Sequence, residues 1–526
     1  MLRIKIPICT IILSMCLTMA CSKPAHTDKQ DPLKNSPSGK YYVDSQSGDD
    51  KNNGFSEKTP WKTLYNVNLR TYQPGDSIFL KKESSWESRL VLKGSGSVGK
   101  PIVLTAYGKG TMPHIMGNGK VDQVILLEEV DYWVVNGIEV SNKATEIGNR
   151  IGILVKCLQP GLRRHFHITN CYVHDVMGDY SMLTKGKNTG GIGVIGGEET
   201  KFDDILIEGN EIGHINRVGI YTTMMNQANT IQLNSVQGKR PITNLVVRKN
   251  KIHHCTGDGA IIRGAHKPII SHNIAWENHN GPEELVKAGV ALWCRSTDEA
   301  LFEYNEVYNT RGSMDGQAFD ADLDAYRTIV QYNYSHGNEG GFLLMTGSAN
   351  DAIVRYNVSV NDGQIGKKHV FYFPIWVAPR GSGIFHNNTV IVPEGLDGVV
   401  VNEALETSRF YNNIFYNKAG KGKLFIESKN TTALFKNNVY IGYGQASNIP
   451  DPSPFLEEPF IVNPSNIQIG MENIKNFKLK STSPYLNKGI NVKVLEQDAY
   501  WLPAADKDLG GKALQPGKSP MGAFLD

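Results

Sequence analysis

The chain repeats one short pattern of hydrophobic and polar positions ten times between residues 168 and 439. Each copy is an apolar residue, one or two polar residues, an Asn and then usually another apolar residue. Successive Asn residues lie 23 to 40 positions apart. A repeat of roughly 20–50 residues is typical of a solenoid, in which each unit buries its apolar face against its neighbours. The ten residues are Asn170, Asn210, Asn250, Asn273, Asn305, Asn333, Asn357, Asn388, Asn413 and Asn438.

The segments around these Asn residues predict strands. They are rich in Val, Ile, Phe and Tyr, are punctuated by Gly, and show no helical period. An Asn at the same turn of each coil predicts side-chain amides that hydrogen-bond from coil to coil, as in other stacks of parallel strands. The pattern therefore predicts an all-β chain folded as a single-stranded parallel β-helix.

The flanking regions fit the two ends of such a solenoid. Short strands at intervals of roughly ten residues begin over residues 40–142, where Thr59, Pro60 and Trp61 lead into a short N-terminal cap helix. After Gly444 the pattern weakens into Pro-rich connections. The final segments, 483–489 and 519–526, are expected to form a last strand that closes the solenoid.

Composition and charge exclude several function classes. The 526 residues include 53 Gly and 20% charged residues, which describes an ordered, turn-rich protein. The formal net charge is +3. A balance so close to zero gives no reason to expect a nucleic-acid partner or an anionic membrane surface.

The N-terminus has the features of an export signal. Arg3 and Lys5 precede an apolar run from Ile6 to Ala20 that is too short to span a bilayer. Residues 18–21 resemble a bacterial lipoprotein cleavage box, with Cys21 as the acylated residue. We expect a signal peptide over 1–20, an anchor and polar tether over 21–39, and a β-helix domain over 40–526. Secretion without an anchor is the alternative.

Of the 7 Cys, four remain outside the signal and the anchor: Cys157, Cys171, Cys255 and Cys294. None belongs to a CxxC pair, and each lies in or beside an apolar strand. We expect buried free thiols that fill the core.

The chain resembles a known superfamily at its two ends. The segments YYVDSQSGDDKNNGFSEKTPWKTL, GDSIFLK, GKPIVLTAYG and the closing MGAFLD are similar to those of secreted right-handed parallel β-helix proteins of the pectate-lyase-like superfamily. The resemblance covers residues 40–526. It implies a right-handed coil, and a chemistry among polysaccharide lyases, glycoside hydrolases, esterases and adhesins.

The second strand of each repeat predicts a face for ligand chemistry, because side chains alternate between the two sides of a strand. Apolar residues on every second position would point inward. The outward set would then be Tyr221, Arg263, Trp293, Arg295, Asp320, Asp322, Asp324, Met345, Tyr372 and Asn402. Equivalent positions stack about 4.8 Å apart in a parallel solenoid. Arg263, Trp293 and Asp322 are therefore expected to line up on one exposed face.

The densest acidic cluster lies on one of these strands. Aspartate is disfavoured in strands, so Asp320, Asp322 and Asp324 within five residues suggest a function. Alternate strand residues are roughly 6.5–7 Å apart, near the separation of roughly 6.5–9.5 Å between the carboxyl groups of an inverting glycosidase. Two close carboxyl groups raise the pKa of one of them, which favours a protonated general acid. The alternative is a solvated face whose charges Arg263 and Arg295 balance.

Further residues are candidates on the same face. Asp315 and Glu339 occupy a turn track just before the strands and would assist Asp320 and Asp322, with Glu339 one coil beyond Asp315. Trp293 suits stacking on a sugar ring. The full set expected to bind substrate is Arg263, Trp293, Tyr221, Lys287, Arg295, His336 and Tyr372.

Two other functions use the same residues. A polysaccharide lyase would take Lys287 or Arg263 as its base and would hold Ca²⁺ on Asp320, Asp322 and Asp324. A non-catalytic glycan-binding or adhesive solenoid would need Trp293 but not the acidic pair. His165, His167 and His174 imitate a metal site, but no carboxylate or Cys lies at ligand spacing, so no metal is expected there.

The sequence thus favours a glycoside hydrolase that cleaves a plant, algal or host glycan with an Asp acid–base pair and without a cofactor. Its expected partners are a poly- or oligosaccharide and, through Cys21, a membrane. We expect a monomeric exported lipoprotein of the outer membrane or cell surface, or one facing the periplasm.

Overall fold

The structure, a computed structural model, contains one compact unit over Ser38–Asp526. The residues that it describes are 39–181, 187–225, 239–282, 286, 288–312, 314–346, 348–363, 369–374, 381–396, 398–403, 405–417, 419–420, 423–427, 432–443, 449–496, 503–514 and 519–525. The predicted signal peptide and nearly all of the predicted anchor and tether lie outside these residues.

Strands alternate with short turns along most of the chain. The first fourteen strands and the predicted cap helix α1 are β1 Lys40–Val43, α1 Tyr65–Leu69, β2 Ser77–Lys81, β3 Ser85–Glu87, β4 Leu90–Leu92, β5 Ile102–Tyr107, β6 His114–Met116, β7 Gln123–Glu128, β8 Trp133–Asn136, β9 Glu139–Asn142, β10 Ile151–Cys157, β11 Gly161–Thr169, β12 Tyr172–Val176, β13 Gly190–Gly196 and β14 Thr200–Glu208.

The next fourteen strands form the middle coils. They are β15 Glu211–Ile215, β16 Val218–Met224, β17 Ile242–Arg248, β18 Lys251–Cys255, β19 Ala260–Arg263, β20 Ile269–Ser271, β21 Ile274–Trp276, β22 Leu292–Arg295, β23 Thr297–Asp298, β24 Leu301–Glu303, β25 Glu306–Tyr308, β26 Gln317–Ala321, β27 Ala325–Tyr326 and β28 Ile329–Gln331.

The last strands complete the solenoid and are followed by a 3-10 helix, Met471–Phe477, and one helical turn, α2 Val492–Leu495. The strands are β29 Tyr334–His336, β30 Gly341–Met345, β31 Ala352–Arg355, β32 Val358–Val360, β33 Phe371–Phe373, β34 Gly381–His386, β35 Thr389–Ile391, β36 Gly398–Asn402, β37 Leu405–Tyr411, β38 Ile414–Tyr416, β39 Lys423–Glu427, β40 Thr432–Lys436 and β41 Val439–Ile441.

These strands build three long parallel sheets that the chain visits in turn, one coil after another. Sheet A has 14 strands from β1 to β40, sheet B has 13 from β3 to β41, and sheet C has 12 from β4 to β39. Successive coils pair in parallel, as in β11 with β14 and β14 with β17. This arrangement is the predicted parallel β-helix.

The predicted Asn ladder exists and marks the turn from sheet A to sheet B. Nine of the ten Asn residues form it, because each Nδ2 from Asn210 to Asn413 donates to Oδ1 of the next Asn at 2.9–3.0 Å. Nδ2 of Asn438 donates to Asp451 at 3.0 Å, which ends the ladder. The prediction was wrong for Asn170. It lies one residue early, is exposed, and binds Asn136, while Cys171 occupies its ladder position.

The space between the three sheets is filled by apolar side chains. Phe385, Phe410 and Phe435 stack in successive coils with ring centroids 4.6 Å apart. The four remaining Cys are free and buried, as predicted, and burial raises the pKa of each thiol. A continuous stack of this kind lets a long chain share one core.

The described residues after β41 form no further strand of the three sheets, contrary to the expectation of a closing strand. Gly489 and Ser519, from the two segments expected to form it, make one isolated antiparallel bridge. This part of the chain runs back along the outside of the coils, where backbone carbonyls of Lys507, Gln468 and Pro503 accept from Tyr332, Tyr334 and Arg355. The Pro-rich segments cannot donate regularly to a strand ladder. None of the helices among the described residues is long and apolar enough to cross a membrane.

Candidate functional site

The outer face of sheet C carries two adjacent columns of side chains that the strand register defines. The first column contains Tyr221, Ile261, Trp293, Asp320, Leu344 and Tyr372. In the second, Arg263 pairs with Arg295, and Arg295 lies 3.7 Å from Asp322. The expected single line of Arg263, Trp293 and Asp322 is therefore wrong. Trp293 stands in the column of Asp320, and both Arg stand in the column of Asp322.

Two outward positions were assigned to the wrong side. Strand β30 pairs Phe319 with Leu343 and Ala321 with Met345, so Met345 points into the core and Leu344 points outward. In β36, Asn402 is buried and holds the Leu405 backbone, while Val401 continues the outer column. Alternation from apolar residues alone cannot set the phase where three or more apolar residues are consecutive.

The outer face is not the exposed platform that the sequence suggested. Trp293 is 5% exposed, and Tyr221 is fully buried. The segment at Lys187 and Asn188 crosses the face: the Asn188 carbonyl accepts from the Tyr221 hydroxyl at 2.8 Å. Arg263 donates to the Lys187 carbonyl at 3.4 Å, and burial lowers the pKa of its guanidinium to about 10. Residues 187 and 188 therefore cover Tyr221 and Arg263 on this face.

Asp320 and Asp322 are nearly buried on this face. They are 5% and 8% exposed, and the Oδ1 atom of each accepts no hydrogen bond from the described residues. Burial, followed by the charges of Asp322 and Asp315, raises the pKa of Asp320 well above its usual range. Burial also raises the pKa of Asp322, although Arg295 acts to lower it. The two carboxyl groups therefore share one site but differ in their compensating charges.

Asp324 does not belong to the pair. Strand β26 ends at Ala321, so only Asp320 of the three Asp residues lies within the strand, and Asp324 has a left-handed backbone with φ +62°. Its carboxylate binds Arg240 at 2.7 Å. The charge of Asp324 is thus neutralised at a turn.

A buried ion pair beside Trp293 was missed from the sequence. Oδ1 of Asp258 accepts from Nζ of Lys187 and from Nε1 of Trp293, both at 2.8 Å. Burial acts to raise the pKa of Asp258, but Lys187 and Arg217 hold it below its ordinary value. Lys187 also lies 4.8 Å from the centre of the Trp293 ring. The indole is therefore fixed in position, with a cation on its ring.

The turn track before the strands is present as predicted. The Gly340 amide donates to the Gly316 carbonyl, so Glu339 does lie one coil beyond Asp315. The Glu339 carboxylate accepts from the Gly312 amide at 3.0 Å and lies 3.8 Å from Arg311. Asp315 is buried, and its charge acts on Asp320. Of these two, Asp315 is the residue that the structure couples to the acidic pair.

The other residues that were expected to bind substrate do not all lie on the outer face of sheet C. Tyr372 is half-buried in the column of Asp320. His336 is not part of this face: it lies on sheet B, stacked on Tyr308 and 3.2 Å from Glu306. Lys287 lies outside the described residues. His336 is thus removed from the candidate site on geometric grounds.

Comparisons with known proteins agree with this architecture. Residues 129–359 match a family model described as a right-handed β-helix region. A lacto-N-biosidase of Bifidobacterium longum subsp. longum is 27% identical over an alignment that covers 81% of this chain and 32% of that protein. The chain thus spans about a third of the length of this curated relative.

Solved structures give the same result for the fold. A GH136 lacto-N-biosidase from Eubacterium ramulus superimposes with a TM-score of 0.60 at 23% identity, covering 79% of this chain and 67% of that one. XylC in complex with xylose superimposes with a TM-score of 0.50 at 12% identity, covering 92% and 98% of the two chains. The chain therefore has a right-handed parallel β-helix fold, as the resemblance implied.

Proposed function

We propose that this chain is a glycoside hydrolase in which Asp320 and Asp322 are the acid–base pair. The observation that carries the proposal is the pair itself: two nearly buried carboxyl groups on one sheet face, each with an oxygen that no described residue binds. Glycoside hydrolysis uses two such carboxyl groups, one protonated and one ionised. The similarity to lacto-N-biosidases supports the same reaction class.

The surroundings of the two residues assign their roles. Burial and the neighbouring carboxyl groups of Asp322 and Asp315 raise the pKa of Asp320, which favours its protonated form, so it can donate a proton to the leaving oxygen. Asp322 lies beside Arg295, which stabilises its ionised form. Asp322 is therefore the base, or the nucleophile if the reaction retains configuration.

Neighbouring groups position this pair. Asp258 fixes Trp293 and Lys187, and Trp293 stands directly next to Asp320 in the column. An apolar ring beside the acid excludes water and keeps its pKa raised. Arg263 holds the Lys187–Asn188 segment over the same face. Tyr372, on the other side of Leu344, is the aromatic side chain of the column that remains open enough to contact a sugar.

For the substrate, we propose a glycan of the class that lacto-N-biosidases cleave. The named relatives are lacto-N-biosidases, and no feature of the acidic pair favours a uronic acid. Such a glycan is a narrower choice than the plant, algal or host glycan expected from the pattern of residues.

The lyase alternative is less well supported by the geometry. Its calcium site would need Asp324, which is held by Arg240, and its candidate base Arg263 is bound to the backbone of Lys187. The groups of His, Cys and carboxylate side chains within the described residues that could hold a metal ion do not include Asp320 or Asp322. Hydrolysis by two carboxyl groups needs neither a calcium site nor Arg263 as a base.

The test uses residues 38–526 and a panel of lacto-N-biose-terminated, neutral and uronic-acid glycans, with and without EDTA. We expect new reducing ends without ultraviolet absorbance from unsaturated uronates. Asp320→Asn should lower kcat about 10²- to 10⁴-fold, the usual contribution of a general acid. Full activity in an Asp320→Asn/Asp322→Asn double variant would rule out the assignment, and absorbance that EDTA abolishes would favour a calcium-dependent lyase.

The cellular location is also a proposal. We infer from residues 1–21 that the full chain is exported and acylated at Cys21. In a bacterial host, the Cys21→Ser variant should move from the membrane fraction to the soluble fraction. Retention of that variant in the membrane would contradict the anchor.

A further inference from the structure

Three histidines on the outer face of sheet B converge on one point. The residues of the proposed hydrolase site lie on a different face, that of sheet C. The three histidines are His214 in β15 and the consecutive His253 and His254 in β18. One ligand nitrogen of each lies within 4.8 Å of the others. Neighbouring residues of a regular strand point to opposite faces, so His253 and His254 meet only because the backbone departs from the strand.

The departure is a column of left-handed residues. His214 has φ +56° and His254 has φ +52°, and the next coil continues the column with Glu277 at φ +49°. This conformation is uncommon for residues other than Gly, Asn and Asp. It turns the His254 ring towards that of His253, with 5.0 Å between the ring centres. Gly213 leaves room for this, because a Cβ atom there would meet the His253 ring.

Hydrogen bonds do not satisfy both nitrogens of His253. Nε2 of His254 lies 2.8 Å from Glu277, whereas Nε2 of His253 is buried, lies 3.7 Å from Glu211 and has no hydrogen-bond partner among the described residues. The two Nδ1 atoms are 2.9 Å apart, so one of them can donate to the other. If Nδ1 of His253 is the donor, its Nε2 stays unpaired, and if His253 carries its proton on Nε2, two Nδ1 lone pairs face each other. Hydrogen bonds alone therefore leave a conflict in this cluster, which a bound cation removes.

The other two histidine clusters lack this conflict. His165 and His167 each bind one oxygen of Asp204, at 2.7 and 2.9 Å. His174 binds Glu139 and Asp175 at 3.1 and 2.9 Å. The imidazole nitrogens of these clusters contact carboxylates or, in the case of His114 beside Glu139, the Ser141 hydroxyl at 2.8 Å, so ordinary hydrogen bonds satisfy them. The cluster of His214, His253 and His254 is the one that hydrogen bonds alone leave unsatisfied within the described residues.

We propose that His214, His253 and His254 bind a divalent transition-metal ion of the type that prefers imidazole, such as Zn²⁺. An ion about 2.0–2.1 Å from each imidazole nitrogen fits beside the line that joins the two Nδ1 atoms. Glu277 and Glu211 then take the outer role that carboxylates have around metal-bound histidines: they accept the second ring proton and fix the tautomer. The ion joins neighbouring coils of sheet B.

His253 is the most buried of the three histidines. His253 is 7% exposed, and its neighbour Trp276 stacks on it at 4.3 Å. The sequence did not reveal the site because its ligands come from two strands about 40 residues apart along the chain, with no single metal-binding motif.

The test measures metal binding rather than activity. Residues 38–526 carrying a tag without histidine are stripped with EDTA, freed of EDTA and titrated with ZnCl₂ by calorimetry, with CaCl₂ as a control salt. Thermal unfolding is recorded with and without Zn²⁺. Asn is the replacement of choice for His214 and His254, because Asn tolerates the left-handed backbone. The matched control is His165→Asn/His167→Asn in the satisfied cluster.

We expect His214→Asn/His254→Asn to bind one equivalent of Zn²⁺ fewer than both the wild-type protein and the control variant. It should also lose the Zn²⁺-dependent rise in Tm. Glu277→Gln keeps all three ligands and should bind Zn²⁺ about 10- to 100-fold more weakly. If the double variant does not fold, Glu277→Gln is the variant that tests the proposal.

Two outcomes would overturn the proposal. The first is a wild-type protein that takes up no Zn²⁺ or binds Ca²⁺ equally well, since a shared proton would then separate the rings. The second is an unchanged Zn²⁺ titration in His214→Asn/His254→Asn, or in Glu277→Gln if the double variant does not fold, which would place any bound metal elsewhere.

Discussion

At the scale of single residues, Arg295 is what distinguishes Asp322 from Asp320. Its guanidinium lies 3.7 Å from Asp322, and its charge opposes the rise in pKa that burial causes. We predict that Arg295→Met raises the pKa of Asp322 further. Since the base must be ionised, the acid limb of the kcat/KM profile should move to higher pH, with little change on the alkaline side. Arg248→Met, which removes a half-exposed partner of Glu208 on sheet A, should leave the profile unchanged.

Breaking the ion pair between Asp258 and Lys187 should have a large effect on stability. Asp258 is fully buried, and its removal would leave the Lys187 ammonium without its carboxylate. Breaking a buried pair on one side costs about 3–5 kcal/mol. Asp258→Asn should therefore lower the free energy of unfolding by roughly that amount in urea denaturation. Glu87→Gln, which breaks an exposed pair with Lys120, should leave the free energy of unfolding almost unchanged. Equal losses in the two variants would show that the pair is not buried in solution.

The candidate site was predictable from sequence only where neighbours along the chain define it. Asp320 and Asp322 stand out because they belong to three Asp residues within five positions, in and directly after an apolar strand. Asp258 and Lys187 do not, since 71 residues separate them and their contact depends on the path of a connecting segment. Trp293 points outward, as predicted. Its ring is nevertheless covered by Lys187 from that same segment, which the sequence did not reveal.

At the scale of elements, the Asn ladder should contribute to the stability of the stacked coils. Oδ1 of Asn305 accepts from the backbone and side-chain nitrogens of Asn273, both at 3.0 Å and buried. Asn305→Ala would leave both donors unsatisfied, at a cost of about 2–4 kcal/mol in the free energy of unfolding. The control is Asn170→Gly, because Asn170 shares the sequence pattern but is exposed and has φ +53°. It should cost less than about 1 kcal/mol, and a loss as large as that of Asn305→Ala would contradict the ladder's role.

The positions of the strands were easier to predict than the inward or outward direction of their side chains. The repeat located the turns from Asn210 to Asn438 correctly, because an Asn of the ladder marks each of them. The faces of β30 and β36 were assigned wrongly because GFLLM and GVVVN contain consecutive apolar residues, so two registers satisfy the same pattern. Only pairing with the neighbouring coil decides between them, as the contact of Leu343 with Phe319 does for β30.

At the scale of the whole molecule, the solenoid was predictable and its outer covering was not. Each coil repeats the same local signals, so one error in phase does not change the fold. The chain after β41 has no repeat and is held by individual contacts, such as that of Asn387 with the Pro520 carbonyl at 2.6 Å. The same holds for residues 187 and 188, which are held by individual hydrogen bonds to Tyr221, Arg263 and Asp258.

The enclosed acid should also make the whole molecule less stable as the pH rises. The pKa of Asp320 is higher in the folded state than in the unfolded chain, so the folded state binds its proton more tightly. The stability from this group is complete below the unfolded pKa of about 3.9 and is lost as the pH rises through the folded pKa. Each unit of difference between the two values amounts to about 1.4 kcal/mol.

Asp320→Asn removes this titration while keeping a polar side chain of similar size. We predict that the variant is inactive yet more stable than the wild type at neutral pH, and that the gain shrinks towards pH 4. Urea denaturation between pH 4 and pH 8 measures it, with Asp324→Asn as the control because Arg240 already neutralises that carboxylate. A variant less stable than the wild type at every pH would mean that Asp320 is ionised and bound by cations. The acid would then have to be sought in Asp315 or Asp322.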